Sequence, residues 1–184
     1  MKIFVISDTH NKIVTPPADY GVSVHLGDCI DYFNKDKTSA QAHVNVFRTY
    51  TYSVAGNHEN MLLSYNNDPL LKKIIDEESW TWLRNLRHQP TKKITIESVK
   101  IRLSHYITPD PVTIAGMPTN EPFAVLNLAK AKEFDIIAYG HTHEQFEQKI
   151  NGVWFLNSGN GEAGEYAEII IDNDKIINIE LKTL

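Results

Sequence analysis

Short apolar runs separated by polar clusters divide this chain into strand-sized pieces, with helical spacing between some of them. Residues 2–7 predict a buried first strand and residues 22–26 a second. Between them, residues 11–20 contain Pro16-Pro17, which cannot continue a helix, and read as a loop. Within 38–48, Ala40, Val44 and Phe47 recur at the spacing of one helical face. A third strand is expected over 50–55. Residues 60–86 carry a helical pattern interrupted near Pro69, which predicts two pieces with Trp80, Leu83 and Leu86 turned inward; Trp80 and Trp82 read as packing residues.

The second half has a different rhythm. Residues 92–104 alternate about Glu97-Ser98 and predict a hairpin. Asn120 ahead of Glu121-Pro122 has the form of an N-cap with proline at the first helical position, opening a helix over 120–132. Residues 135–139 predict another strand. Asn151-Gly152 joins 145–150 to 153–157 in the strongest hairpin signal of the chain. The tail, 165–181, predicts two strands turning at Asp172-Asn173-Asp174. Strand and helix alternate in the first half and hairpins dominate the second. The expectation is therefore an α/β fold of two packed sheets with helices outside. No internal repeat, low-complexity segment or long linker divides residues 1–184, so one domain is expected.

Composition narrows this picture little. The chain is 42% hydrophobic and 22% charged, which suits a compact domain with a proper core. No apolar run approaches the roughly 20 residues of a membrane span. Met1-Lys2-Ile3-Phe4 enters a strand pattern directly, without a small-residue cleavage site, so a cytoplasmic location is expected. Cys29 is the one cysteine, so no internal disulfide forms. A net charge of −5 weighs against duplex nucleic acid and anionic membranes as partners. It leaves a phosphate-ester small molecule or nucleotide open, because bound divalent cations reverse the local sign of a site.

The candidate chemistry lies where strands end. Asp8 and His10 follow the first strand, and Asp28 and Asp31 follow the second. Gly56-Asn57-His58-Glu59 follows the third, His105 follows 100–104, and His141 and His143 follow 136–140. In an extended segment, Asp8 and His10 would point the same way, as would His141 and His143. Five of the eight histidines fall in these loops with three aspartates and an asparagine. Strand ends on one rim are where open α/β folds build sites. Oxygen and imidazole donors without thiolate suit manganese, iron, nickel or zinc rather than calcium or a thiolate-held zinc. The ligands are too many for one tetrahedral ion. Two ions sharing a carboxylate fit better, and such pairs commonly hydrolyse phosphate esters.

The series Asp8-x-His10, Gly27-Asp28-x-x-Asp31, Gly56-Asn57-His58-Glu59, His105 and Gly140-His141-x-His143 resembles the calcineurin-like metallophosphoesterases, in that family's order. The short length is similar to its small bacterial and archaeal phosphodiesterases. The resemblance implies a β-sandwich flanked by helices, in α/β/β/α layers. It implies a hydrolase using two divalent transition-metal ions, manganese first, with nickel, iron or zinc as alternatives. Asp8, His10, Asp28 and His143 would hold one ion; Asn57, His105 and His141 would hold the other, with Asp28 between them. A hydroxide bridging the ions would attack phosphorus. His58 would act as general acid, and Asp31 would orient it.

Three departures bear on the substrate. Tyr32-Phe33 stands where the family's protein phosphatases have Arg-Gly, so a phosphate clamp is missing and diesters are preferred over monoesters. His105 is followed by Tyr106 rather than glycine, which would narrow the pocket or stack on a base. Asn157-Ser158-Gly159-Asn160 replaces the phosphodiesterases' Asn-Pro-Gly-Ser. The alternatives are a phosphomonoesterase or protein phosphatase, a small nuclease, or a scaffold such as the retromer subunit of this fold. The helical segment and the late hairpins each offer a surface for a homo-oligomer. Outside the loops, His25 reads as a satisfied core or half-buried histidine rather than a ligand, Cys29 as a small buried filler, and His43 and His88 as solvent-facing. Glu59 reads equally as a partner of a ligand or as a helix cap. Arg48, Arg84, Arg87 and Arg102 are the cationic candidates for phosphate contact.

Overall fold

The computed structural model of the chain describes residues 1–10, 12–31, 33, 38–64, 68–107 and 133–184. Among these residues, two five-stranded sheets pack face to face. The first contains β1 (Lys2–Ile6), β2 (Val22–His25), β3 (Tyr52–Ser53), β9 (Glu165–Asp172) and β10 (Lys175–Thr183), in the order β10-β9-β1-β2-β3. The second contains β4 (Thr91–Ile96), β5 (Val99–Ser104), β6 (Ile136–Tyr139), β7 (Gln145–Ile150) and β8 (Val153–Ser158), in the order β4-β5-β6-β8-β7. Each is mixed. β1, β2 and β3 run parallel in one, and β5, β6 and β8 run parallel in the other, with antiparallel strands at the flanks.

Alternation along β1 shows how the layers form. Ile3 and Val5 enter the core between the sheets, where they meet Ile101, Leu103, Ala138 and Leu156. Phe4 and Ile6 point to the opposite face, with Val14 and Tyr50. The helices α1 (Ala40–Phe47), α2 (Asn57–Ser64), α3 (Leu71–Ile74) and α4 (Glu77–Arg87) bury Val44, Leu62, Leu71, Trp80 and Leu83 in a cluster of their own. Phe47 and Trp82 pack edge to face at 5.2 Å. This is the expected sandwich with helices outside. The hairpins at Glu97-Ser98, Asn151-Gly152 and Asn173-Asp174 are present. The helix expected over 120–132 lies outside the described residues. No helix among the described residues is long and apolar enough to cross a membrane.

Local expectations needed three corrections. The third strand pairs only over Tyr52–Ser53. The segment after α2 restarts twice rather than once, because Ile75 is extended and the Asp76 side chain caps a new helix by accepting the Ser79 N–H at 2.7 Å. His43 is buried rather than solvent-facing, since it shares the inward stripe of α1 with Ala40, Val44 and Phe47.

Candidate metal centre

The parallel strands of both sheets end on one rim, and their loops meet there. The backbone of these loops is not extended, as the sequence suggested. Asp8, His10, Asp28, His141 and His143 all have left-handed φ, between 44° and 73°. Aspartate and histidine tolerate this region better than most residues, yet each such position still costs roughly 1–2 kcal/mol. Contacts between loops hold the strain in place. Asp8 N–H donates to Gly27 O and His10 N–H to Asp28 O, both at 3.0 Å, and Glu162 N–H donates to Asp8 O at 3.0 Å. The Asp8 carboxylate in turn accepts the His141 N–H at 3.0 Å.

Two sub-sites result. In one, His143 Nε2 lies 3.3 Å from Asp8 Oδ1 and 3.2 Å from His10 Nε2. In the other, His105 Nε2 lies 3.2 Å from Asp28 Oδ2 and 3.0 Å from Asn57 Oδ1, which is also 3.0 Å from His141 Nδ1. Asp8, His10 and His143 form one group whose donor atoms all lie within 4.8 Å of one another, and Asp28, His105 and His141 form another. A third group, His10, Asp28 and His58, makes Asp28 common to two of the three. The seven residues named from sequence as ligands are thus brought together. His141 and His143 do not act as a pair: they face different sub-sites.

Glu59 organises the region from beneath. Its carboxylate accepts the backbone N–H groups of Asp28 (2.9 Å), Cys29 (2.8 Å) and Ile30 (3.2 Å), and also that of Gly56 (2.8 Å). The last bond closes half of a capping box on α2, so both readings of Glu59 hold at once. Gly56 is needed because a Cβ there would stand 2.1 Å from Asp28 Oδ1. Asn157 donates to Gly140 O and Thr142 Oγ1, both at 2.9 Å, and so fixes the loop bearing His141.

Charge is concentrated and paired. Burial disfavours ionisation of Asp28, but His105 and His58 outweigh it and hold the carboxyl well below its usual range. Burial likewise opposes the His105 imidazolium, yet Asp28 and Asp8 lift that group to about 10. Asp8 is held low against its burial by His143 and His105, and its hydrogen bond to Asp8 raises His143. Burial lowers His10 and His141. The His10 and His143 Nε2 atoms face each other at 3.2 Å beside Asp8 Oδ1, and His10 Nδ1 is buried with no hydrogen-bond partner among the described residues. Such a set of imidazole, amide and carboxylate donors, one of them orphaned, fits divalent transition-metal ions.

The remaining candidates fall around this cluster. His58 N–H donates to Asp28 Oδ1 at 2.8 Å, and its Nδ1 lies 3.3 Å from Asp31 Oδ1. Above the cluster opens a cavity of about 400 Å³ whose wall includes Asp31, the exposed ring of Phe33, and Glu162. Tyr106 packs on His141 at 4.7 Å between ring centroids and reaches Asn57 Oδ1 at 3.4 Å. None of the four arginines reaches the cavity. Arg48 pairs with Glu78, Arg84 pairs with Glu77, and Arg102 is buried, donating to Ile107 O. Glu162 was missed in the sequence. Asn160 before Gly161-Glu162 signals a capped turn, which forms, but nothing local ties that turn to Asp8.

Residues 1–169 match the family described as the calcineurin-like phosphoesterase superfamily domain. No curated protein matches the chain. Among solved structures, Vps29 of Entamoeba histolytica, crystallised with zinc, is similar at 15% identity and a TM-score of 0.57, covering 100% of this chain and 98% of that one. An archaeal phosphodiesterase is similar at 16% identity and a TM-score of 0.56, with 100% of both chains covered. A predicted phosphoesterase of Streptococcus pneumoniae TIGR4 gives 16% identity and 0.54, covering 99% of this chain and 88% of that one. At these identities the likenesses show the fold. The family match runs from β1 into β9 and so spans every loop of the cluster: the chain belongs to the calcineurin-like phosphoesterase superfamily.

Proposed function

We propose that this protein hydrolyses phosphate esters, diesters ahead of monoesters, with two divalent transition-metal ions. Asp8, His10, Asp28 and His143 would hold one ion, and Asn57, His105 and His141 the other, with Asp28 shared. The observation that carries this reading is the convergence of overlapping donor groups, each within 4.8 Å, from the ends of separate strands. Manganese stands first for this thiolate-free set, and the zinc of the Entamoeba Vps29 keeps zinc in view. When bound, the ions supply charge neutralisation at the phosphoryl group and activation of water.

The chain's own residues do the rest. Asp31 engages Nδ1 of His58, 3.3 Å away, which leaves Nε2 to carry a proton to the leaving oxygen. Asn57 and Tyr106 hold His141 against the second sub-site. The described cavity wall carries Asp31 and Glu162 and no lysine or arginine. The dianion of a monoester would meet repulsion there without a clamp, whereas the monoanion of a diester would meet less. A scaffold role, which a likeness to Vps29 would allow, gives no account of the His58–Asp31 contact. The test compares bis-p-nitrophenyl phosphate with p-nitrophenyl phosphate on metal-loaded protein. Faster turnover of the diester is expected; efficient monoester cleavage with none of the diester overturns the preference.

A further inference from the structure

His25 is buried one strand residue below the ligand loops, at 1% exposure, and both of its ring nitrogens are used. Nδ1 lies 3.2 Å from the backbone N of Gly27, which can only donate. The ring proton therefore sits on Nε2, 3.0 Å from Thr9 Oγ1, and is donated to it. The Cys29 thiol donates to His43 O, at 3.6 Å, in α1. One directional chain thus runs from the Gly27 N–H through the His25 ring to Thr9, with Cys29 tied separately to the helix. Phe47 and Tyr50 wall the His25 ring edge-on, at 4.7 and 5.0 Å between centroids, so it has no other orientation to take.

The placement of the links matters. Thr9 lies between Asp8 and His10, and Gly27 and Cys29 flank Asp28. The three residues so bracketed are those that the proposed function assigns to the first ion, together with His143, and all three have left-handed φ. Backbone in that region relaxes unless its surroundings over-determine it. We propose that the Gly27–His25–Thr9 chain is a brace that sets the spacing of the Asp8–His10 loop against Asp28, making His25 and Thr9 positioning residues for metal binding. Among the described residues the hydrogen bonds of the His25 ring go to Thr9 and to the Gly27 N–H rather than to a proposed ligand side chain, so its contribution passes through the two loops.

The inference rests on the metal-site reading above, and its test separates the two. Manganese and zinc affinities are measured by competition with a chromogenic chelator for the parent, Thr9→Val, Thr9→Ser and His25→Leu, with amide hydrogen exchange at Gly27 followed in the metal-free proteins. Thr9→Val keeps the volume and removes the hydrogen bond to His25; it is expected to weaken metal binding about 10–100-fold, the usual cost of losing an outer partner. Thr9→Ser restores the chain and should stay near the parent. His25→Leu should match Thr9→Val, expose Gly27 to exchange, and add little in the double variant, because the two break one chain. Should Thr9→Val not fold, Thr9→Ala takes its place. Parental affinity in a folded Thr9→Val or Thr9→Ala, or equal loss in Thr9→Ser, overturns the brace while leaving the metal site standing. A parent that binds neither metal overturns both.

Discussion

His58 Nδ1 stands 3.3 Å from Asp31 Oδ1 while the His58 backbone N–H is bonded to Asp28 Oδ1 at 2.8 Å. One residue is thus tied by its main chain to a carboxylate shared between two donor groups and by its ring to a carboxylate outside them. This relation ranks the outcomes of substitution. His58→Ala should lower kcat by about 10²–10⁴, the usual worth of a positioned general acid, with metal content retained. Asp31→Asn should cost less, about 10–100-fold, and the double variant should be no worse than His58→Ala alone. Steady-state rates beside metal analysis check this; metal loss in His58→Ala would make that residue a ligand instead.

Glu59→Gln tests the support beneath the site. The carboxylate accepts four backbone N–H groups, and an amide would turn its own N–H against at least one of them. The expected cost is on the order of 2 kcal/mol, because charge-assisted bonds are lost and a buried backbone N–H is left without an acceptor. Denaturant unfolding of the metal-free protein reads this directly. Weaker metal binding should accompany it, since three of the four donors belong to the Asp28 loop.

Much of this site was legible because each proposed ligand follows an apolar strand, so the strand pattern announces the loops without knowledge of their shape. The shape itself was hidden. Left-handed backbone at Asp8, His10, Asp28, His141 and His143 arises from bonds between loops far apart in sequence, which no local pattern encodes. The same holds for Glu59, whose capping bond is local but whose bonds to Asp28, Cys29 and Ile30 are not. His43 differs. Its position on the stripe of Ala40, Val44 and Phe47 already placed it inside α1, and only its polar identity suggested otherwise.

Away from the rim, Glu168 gives a pH-dependent prediction. It is buried, accepts from Lys182 and from the Tyr20 hydroxyl, each at 2.6 Å, and faces Lys2 at 3.4 Å. Lys182 first, then Tyr20, hold its carboxyl down to about 2 from an ordinary 4.5. A depressed folded value stabilises above the unfolded value and is lost as pH falls through the folded one. Glu168→Gln should therefore be less stable than the parent at pH 7 by on the order of 2 kcal/mol. The gap should close as pH falls from about 4.5 towards about 2. Urea unfolding of both proteins across that range measures it.

The central claim is that Asp28 joins two ions into one hydrolytic centre. Its most direct test is metal stoichiometry, by elemental analysis, of the parent and Asp28→Asn after stripping and reloading with manganese, with bis-p-nitrophenyl phosphate turnover measured on the same samples. The account predicts two ions and metal-dependent turnover for the parent, and fewer ions with turnover abolished for a folded Asp28→Asn. A parent that takes up no metal, or an Asp28→Asn protein that keeps both ions and parental turnover, would contradict it.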